Sequence, residues 1–181
     1  MMFKISLYNI KPLIEKDQQL VTECEDYDCK ETILADICEI FEESKKIKFD
    51  VIGFGIEKWP VDCMFDLLSV VGELPDIINS FYQNSYDFNL DFYEQGLERM
   101  LIFKEKEDSI IIMCESHNKW IPDPQIEHIS KSGLVKMILE LYNKFIIYTE
   151  CLCGHLLEHP LMKEFILNDC IINELERKYS V

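Results

Sequence analysis

Residues 86–114, YDFNLDFYEQGLERMLIFKEKEDSIIIMC, decide the fold of this chain. The first part alternates polar residues with aromatic and apolar ones, namely Tyr86, Phe88, Leu90 and Phe92. The turn sequence EQG follows, and two apolar runs, LERMLIFK and SIIIMC, flank the polar segment EKED. Period-two alternation and short polar turns predict a three-strand antiparallel meander. Because the second and third runs are apolar on both faces, we expect the sheet to be covered on each side, at least in part.

The segments outside the meander predict another strand pair and several helices. Alternation at residues 3–7 and the run KFDVIGFGI at 48–56 indicate strands, and CMFDLLSVV and PDIINSFY indicate two short helices. Asp28 and Glu31 have capping-box spacing before an amphipathic helix. Ser132 can cap a long helix and Pro160 can open another. The chain is therefore predicted to be a single α+β domain over residues 1–181, with an antiparallel sheet packed by helices and a helical C-terminal part.

The composition combines strong acidity with ample apolar material. The chain has 34 Asp and Glu against 18 Lys and Arg, a net charge of -16, yet 48% of its residues are hydrophobic. Such a chain can bury a core, whereas a disordered acidic segment lacks the apolar residues to do so. The acidity therefore belongs to a folded surface. That surface repels nucleic acids and anionic membranes and attracts cationic partners.

The cysteines and the N-terminus predict a cytoplasmic protein. Several of the 8 Cys, such as Cys38, Cys114 and Cys170, lie inside apolar or helical patterns, where a thiol packs as a small hydrophobic group. We expect all eight thiols to be reduced, as in the cytosol. The sequence MMFKISLYNIKPLIEKDQQ does not resemble a secretory signal, and no stretch of the chain predicts a membrane span.

Candidate metal and catalytic motifs do not form a convincing constellation. CLCGHLLEH brings Cys151, Cys153, His155 and His159 within nine residues, but one residue between the cysteines is fewer than structural zinc sites use. The sequence alone leaves open whether these four residues ever bind a metal. With only 6 Gly there is no phosphate-binding loop, and no nucleophile and base are paired. The sequence therefore predicts no metal, no cofactor and no catalytic residue.

Carboxylates around the first turn of the meander are the candidate binding surface. A cationic protein partner would meet an outward row of acids here, a second acidic group in the loop before the first helix, and one aromatic anchor. The predicted partner-binding residues are Asp87, Asp91, Glu94, Glu98, Glu23, Glu25, Asp26 and Trp120.

Part of the second half of the chain resembles a known class of protein. DFYEQGLERMLIF at 91–103, MCESHNKWIPDP at 113–124 and the long helix from Ser132 are similar to the immunity proteins of bacterial polymorphic toxin systems, including contact-dependent growth inhibition. The resemblance implies a small acidic cytoplasmic inhibitor, often α+β, that binds one cognate toxin domain. That domain is typically a nuclease, and the inhibitor occludes its active site.

Two other function classes fit the same composition. One is an acidic interaction or regulatory module with a different basic protein partner, and the other is a small hydrolase that uses a metal or paired carboxylates. A neighbouring reading frame for a large secreted protein with a basic C-terminal domain would favour the immunity protein over both. The sequence identifies neither the toxin, nor the acidic patch that docks, nor the oligomeric state.

Overall fold

The computed structural model describes residues 2–13 and 27–180. Six strands lie in these ranges: β1 Lys4–Asn9, β2 Ile47–Ile52, β3 Phe88–Phe92, β4 Arg99–Lys106, β5 Ser109–Ser116 and β6 Ile126–Ser130. The α-helices are α1 Lys30–Ser44, α2 Leu68–Val71, α3 Leu74–Tyr82, α4 Lys131–Leu157 and α5 Asp169–Tyr179. A π-helical turn, Cys63–Leu67, leads into α2, and a 3-10 turn, Pro160–Glu164, follows α4.

The strands form two antiparallel sheets, so the predicted α+β class and the meander are confirmed. β1 pairs with β2, and the larger sheet has the order β3-β4-β5-β6. The larger sheet thus has one strand more than the three predicted. β6 was missed because Glu127 occupies an inward position where an apolar residue would have marked a strand, while Ile126 points outward.

Glu127 is buried because its carboxylate joins three parts of the chain. Oε2 accepts the backbone N–H of Phe3 at 2.5 Å, and Oε1 accepts the N–H of Phe54. The aromatic ring of Phe3 packs edge-on against both Phe54 and Phe103. These contacts hold β1 and the segment after β2 against the inner face of the larger sheet.

The core lies between this inner face and the helices. Leu101, Phe103 and Ile112 have almost no exposed surface and belong to one apolar cluster with the buried face of α4. Most of the helical contact with the larger sheet comes from α2 and α4. None of the helices in the described residues combines the length and apolarity needed to cross a bilayer.

Three helix boundaries differ from the predictions. Cys29, not Asp28, is the N-cap of α1, which places Glu31 one position too early for a capping box. Ser130, not Ser132, caps α4, and its Oγ accepts the N–H of Gly133 at 3.0 Å. Pro160 opens only a short 3-10 turn, because the next helix, α5, has its own N-cap at Asn168.

Gly55 lets the loop after β5 lie on the segment after β2. Its φ is +82°, and a Cβ there would come within 2.1 Å of the carbonyl oxygen of Asp123. The N–H of Asp123 in turn donates to the carbonyl of Phe54. This close approach places the loop that carries Trp120 beside Trp59 at one end of the sheet.

Candidate functional site

The outer face of the larger sheet is apolar and lies on the side away from the core. Cross-strand register aligns Ile102 of β4 with Met113 of β5, and Met113 with Ile126 of β6. In a strand, alternate side chains point to the same face. The apolar residues of the outer face are Met100, Ile102, Ile111, Met113 and Ile126, and the face also carries the polar residues Asn89, Asp91, Lys104, Glu115 and His128 around them.

No helix or strand in the described part of the chain covers this face. Met100, Ile102, Ile111 and Met113 are partly exposed and stand outside the core cluster, and Ile126 is 47% exposed. The expected cover is complete on the inner face, where the described helices pack, and only partial on the outer face, where Met100, Ile102, Ile111 and Met113 are partly buried. A contiguous exposed apolar patch rimmed by polar residues marks an interaction site.

An acidic end borders the outer face where β3 turns into β4. Asp91 and Glu115 flank Met100 across the strands, and Glu94 and Glu98 lie in the turn. Within the described residues, none of these four carboxylates forms an ion pair. We call Asp91, Glu94, Glu98 and Glu115 the acidic end. Its charges are uncompensated and are available to a cationic partner.

Asp87 lies apart from this group, at the opposite end of β3. The separation of four positions between Asp87 and Asp91 corresponds to about 13 Å along a strand. Asp87 forms an ion pair with Lys104 at 3.1 Å and accepts the N–H of Glu105 at 2.7 Å. The backbone hydrogen bond from Glu105, helped by Lys104, lowers the pKa of Asp87. The structure thus gathers three of the four predicted meander acids and gives the fourth a role in holding β3 to β4.

Backbone hydrogen bonds fix the turn that presents Glu94 and Glu98. The carbonyl of Glu94 accepts the N–H groups of Leu97 and Glu98 at 3.0 and 3.1 Å. The Asn118 side chain donates to the carbonyl of Leu97 at 2.8 Å, and Gly96 supplies a φ of +96°. The turn is therefore held from both sides, which lowers the entropy lost when a partner binds it.

Trp120 is half-buried beside the acidic end. Its ring lies 3.7 Å from the Arg99 guanidinium carbon and packs edge-on against Trp59, which is 4.4 Å from the same carbon. Burial lowers the pKa of Arg99, whose Nε and Nη1 have no hydrogen-bond partner in the described residues. Trp120 therefore has a structural contact with Arg99, and its role as a partner anchor stays a prediction.

The other predicted sites fall elsewhere. Glu23, Glu25 and Asp26 lie outside the described residues. The four candidate zinc ligands are not gathered: Cys153 is buried, His155 is exposed, and the Nδ1 atom of His159 accepts the N–H of Leu161. Across residues 2–13 and 27–180, no three His, Cys, Asp or Glu side chains are grouped to hold a metal ion. The seven cysteines in these ranges are free thiols.

Sequence reasoning missed the apolar part of the site, although the signal was present. The second and third strands of the meander are apolar on both faces, which predicts at least partial cover on each side but does not indicate which face the helices pack against.

Comparison of the chain with models of protein families, with curated proteins and with solved structures finds no match in any of the three.

Proposed function

We propose that this protein is an immunity protein that neutralises a cognate, basic toxin domain, of the nuclease type, in the cytoplasm. In this proposal the outer face of the larger sheet and its acidic end dock on the toxin and occlude its active site. The proposal includes no catalytic residue, no cofactor and no metal.

One observation carries the proposal: an uncovered apolar sheet face is bordered by carboxylates that have no ion-pair partner in the described residues. The apolar residues supply burial at the centre of an interface, and the charges supply a rim. The partner that complements this arrangement is a protein with an apolar patch beside a cationic cleft. The net charge of -16 gives the same sign to the long-range field.

In this proposal the acidic end explains both the fast association with the toxin and the inhibition of its nuclease activity. A nuclease must present cationic groups to the phosphates of its substrate. Asp91, Glu94 and Glu98 can occupy those groups in place of phosphates and so exclude the substrate. Charge complementarity also raises the association rate, by up to about 10³-fold at low salt. A rapid association protects the cell before the toxin acts.

The decisive experiment uses candidate toxin domains, above all the basic C-terminal domain of any large secreted protein whose reading frame adjoins the one for this chain. The nuclease activity of each domain is measured with and without an equimolar amount of the purified protein, and the complex is isolated by size-exclusion chromatography. We expect a stoichiometric complex and loss of nuclease activity. A stable complex that leaves the active site working would instead indicate the alternative function, an acidic module for a basic partner. Turnover by the protein alone would contradict the proposal.

A further inference from the structure

A small anionic cavity lies beside the acidic end. It has a volume of about 310 Å³ and lies between the π-helical turn after β2 and the turn from β3 to β4. Its walls are formed by Pro60, Asp62, Phe65, Asp66, Glu94 and the residues 95–97. Ligand pockets range from about 300 to 1,000 Å³, so this one has room for a single side chain and not for a larger ligand.

Asp66 is a buried carboxylate in this wall, and its Oδ1 atom has almost no accessible surface. The residue is 4% exposed. Its Oδ2 accepts the N–H of Asp62 at 3.0 Å, whereas Oδ1 has no hydrogen-bond partner in the described residues. Burial raises the pKa of Asp66 to about 6, and the charges of Asp62 and Glu94 add to the shift. A buried charged oxygen without a partner is unfavourable, so its presence needs an explanation.

The surrounding groups offer no internal cation to Asp66. Asp62 is held in place because its Oδ1 accepts the N–H groups of Phe65 and Asp66 at 2.7 and 3.4 Å. Glu94 forms no ion pair in the described part of the chain. No Lys or Arg is among the cavity's lining residues. The cavity therefore presents three carboxylates and requires a cation from outside.

The geometry favours an organic cation over a metal ion. The three carboxylates do not form a group that could coordinate one metal ion, a statement that holds for the described residues. A guanidinium spreads five N–H donors over a plane and can serve carboxylates that are further apart. Phe65 is 43% exposed at the rim and offers a ring against which a guanidinium or its methylene stem can pack.

We propose that this cavity binds the guanidinium of one arginine side chain of the partner protein, with Glu94 accepting its N–H donors, the buried charge of Asp66 attracting it and Phe65 packing against its stem. The identity of the partner rests on the proposed function, but the binding chemistry of the cavity does not. The arginine supplies the cation that Asp66 lacks in the free protein.

The first test uses the protein alone and methylguanidinium as the probe. Backbone amide NMR signals are followed as methylguanidinium is added, and Mg²⁺ is titrated separately. We expect saturable shifts confined to residues 60–66 and 94–97. Asp66→Asn should weaken binding about 10-fold, because the buried negative charge that attracts the cation is lost. The matched control is Asp108→Asn, which removes the same charge from an exposed turn at the far end of β4 and should leave the affinity unchanged.

Two results of this titration would overturn the proposal. One is equal binding of methylguanidinium by the wild type and Asp66→Asn, and the other is saturation of the same signals by Mg²⁺ alone. Glu94→Gln gives a second variant on the opposite wall, and it should also weaken binding by several-fold.

The second test separates this inference from the proposed function. In the complex with the toxin domain, Asp66→Asn should weaken binding by about 10-fold or more, and Asp108→Asn should have no such effect. If methylguanidinium binds as expected but no toxin domain is inhibited, the proposed function fails and the arginine pocket stands. If the toxin is inhibited equally by the wild type and Asp66→Asn, the pocket assignment fails and the proposed function stands.

Discussion

The two faces of β4 and β5 carry similar apolar residues, but those of one face are buried in the core and those of the other are partly exposed. Leu101 points inward and is completely buried, while its neighbour Ile102 points outward and remains partly exposed. Phe103 and Ile112 continue the inner face, and Met113 continues the outer one. The difference teaches that apolar alternation identifies which residues share a face, whereas the helices decide which face becomes core. In the described residues the helices complete the core on the inner face and leave the outer face partly exposed.

The largest effect should come from truncating the inner member of this neighbouring pair. Leu101→Ala should lower the free energy of unfolding by about 2–5 kcal/mol, since it leaves a cavity in a packed core. Ile102→Ala, one residue away, should cost about 1 kcal/mol or less, because no covering layer is lost. Urea denaturation of both variants measures the contrast. Equal losses would show that the outer face is also packed in solution.

A charge placed on the outer face should weaken binding strongly while it changes the stability of the protein little. We expect Ile102→Lys to weaken the complex with the basic toxin domain by about 100-fold, or about 2.7 kcal/mol, because it buries a like charge in the interface. Its melting temperature should stay close to that of the wild type. Lys104 provides the internal comparison, because it is already an exposed cation on the same face, opposite Ile111 and two residues along β4 from Ile102. A complex of undiminished affinity would move the docking surface off this face.

A buried carboxylate and an exposed one should affect the free energy of unfolding differently, as the inner and outer apolar residues do. The pKa of Asp66 is about 6 in the folded protein against an ordinary value of 3.8, chiefly because of burial, with Asp62 and Glu94 facing it. The folded state therefore binds the proton more tightly, and this group reduces stability as the pH rises from about 4 to about 6. Asp66→Asn should raise the free energy of unfolding at pH 7 by about 1–3 kcal/mol.

The pH dependence of this stability gain tests whether burial of the Asp66 carboxylate is its cause. The gain from Asp66→Asn should shrink toward zero below pH 4, where the wild-type carboxyl is protonated in both states. Asp91→Asn, an exposed carboxylate of the acidic end, should change stability by less than about 0.5 kcal/mol at either pH. Chemical denaturation at pH 4 and pH 7 measures both variants. A gain for Asp66→Asn that is the same at both pH values would exclude burial as its origin.

The smallest expected effect is on the association rate. Neutralising the acidic end by Asp91→Asn, Glu94→Gln and Glu98→Gln together should slow association with the toxin about 10-fold at low salt and flatten its salt dependence. Asp87→Asn should change the rate less, since it removes one charge instead of three and lies about 13 Å along the strand from Asp91. Stopped-flow measurements at several salt concentrations decide this. A slower rate for Asp87→Asn and an unchanged rate for the triple variant would place the steering charges at the other end of β3.

The sequence predicted the meander because β3, its turn and the two apolar runs carry strong local signals. It could not predict β6, since Glu127 satisfies a long-range hydrogen-bonding demand from Phe3 and Phe54 and so breaks the strand pattern. It predicted acids in the β3–β4 turn, because exposed carboxylates follow from alternation. It could not identify Asp66, whose burial depends on the packing of two turns that are 28 residues apart in sequence, from Asp66 to Glu94. The N-caps of α1 and α4 lie one and two residues from the predicted ones, whereas α5 begins well after Pro160 because a 3-10 turn comes first.

The buried carboxylate of Glu127 also constrains the order in which the chain can fold while it is being synthesised. β1 and β2 can pair once residue 52 has emerged, but the N–H groups of Phe3 and Phe54 have no buried acceptor until residue 127 follows. The β1–β2 pair therefore cannot complete its buried hydrogen bonds to Glu127 until more than seventy further residues have been synthesised. Completion of the fold, and with it any capacity to bind a partner, belongs to the last third of translation.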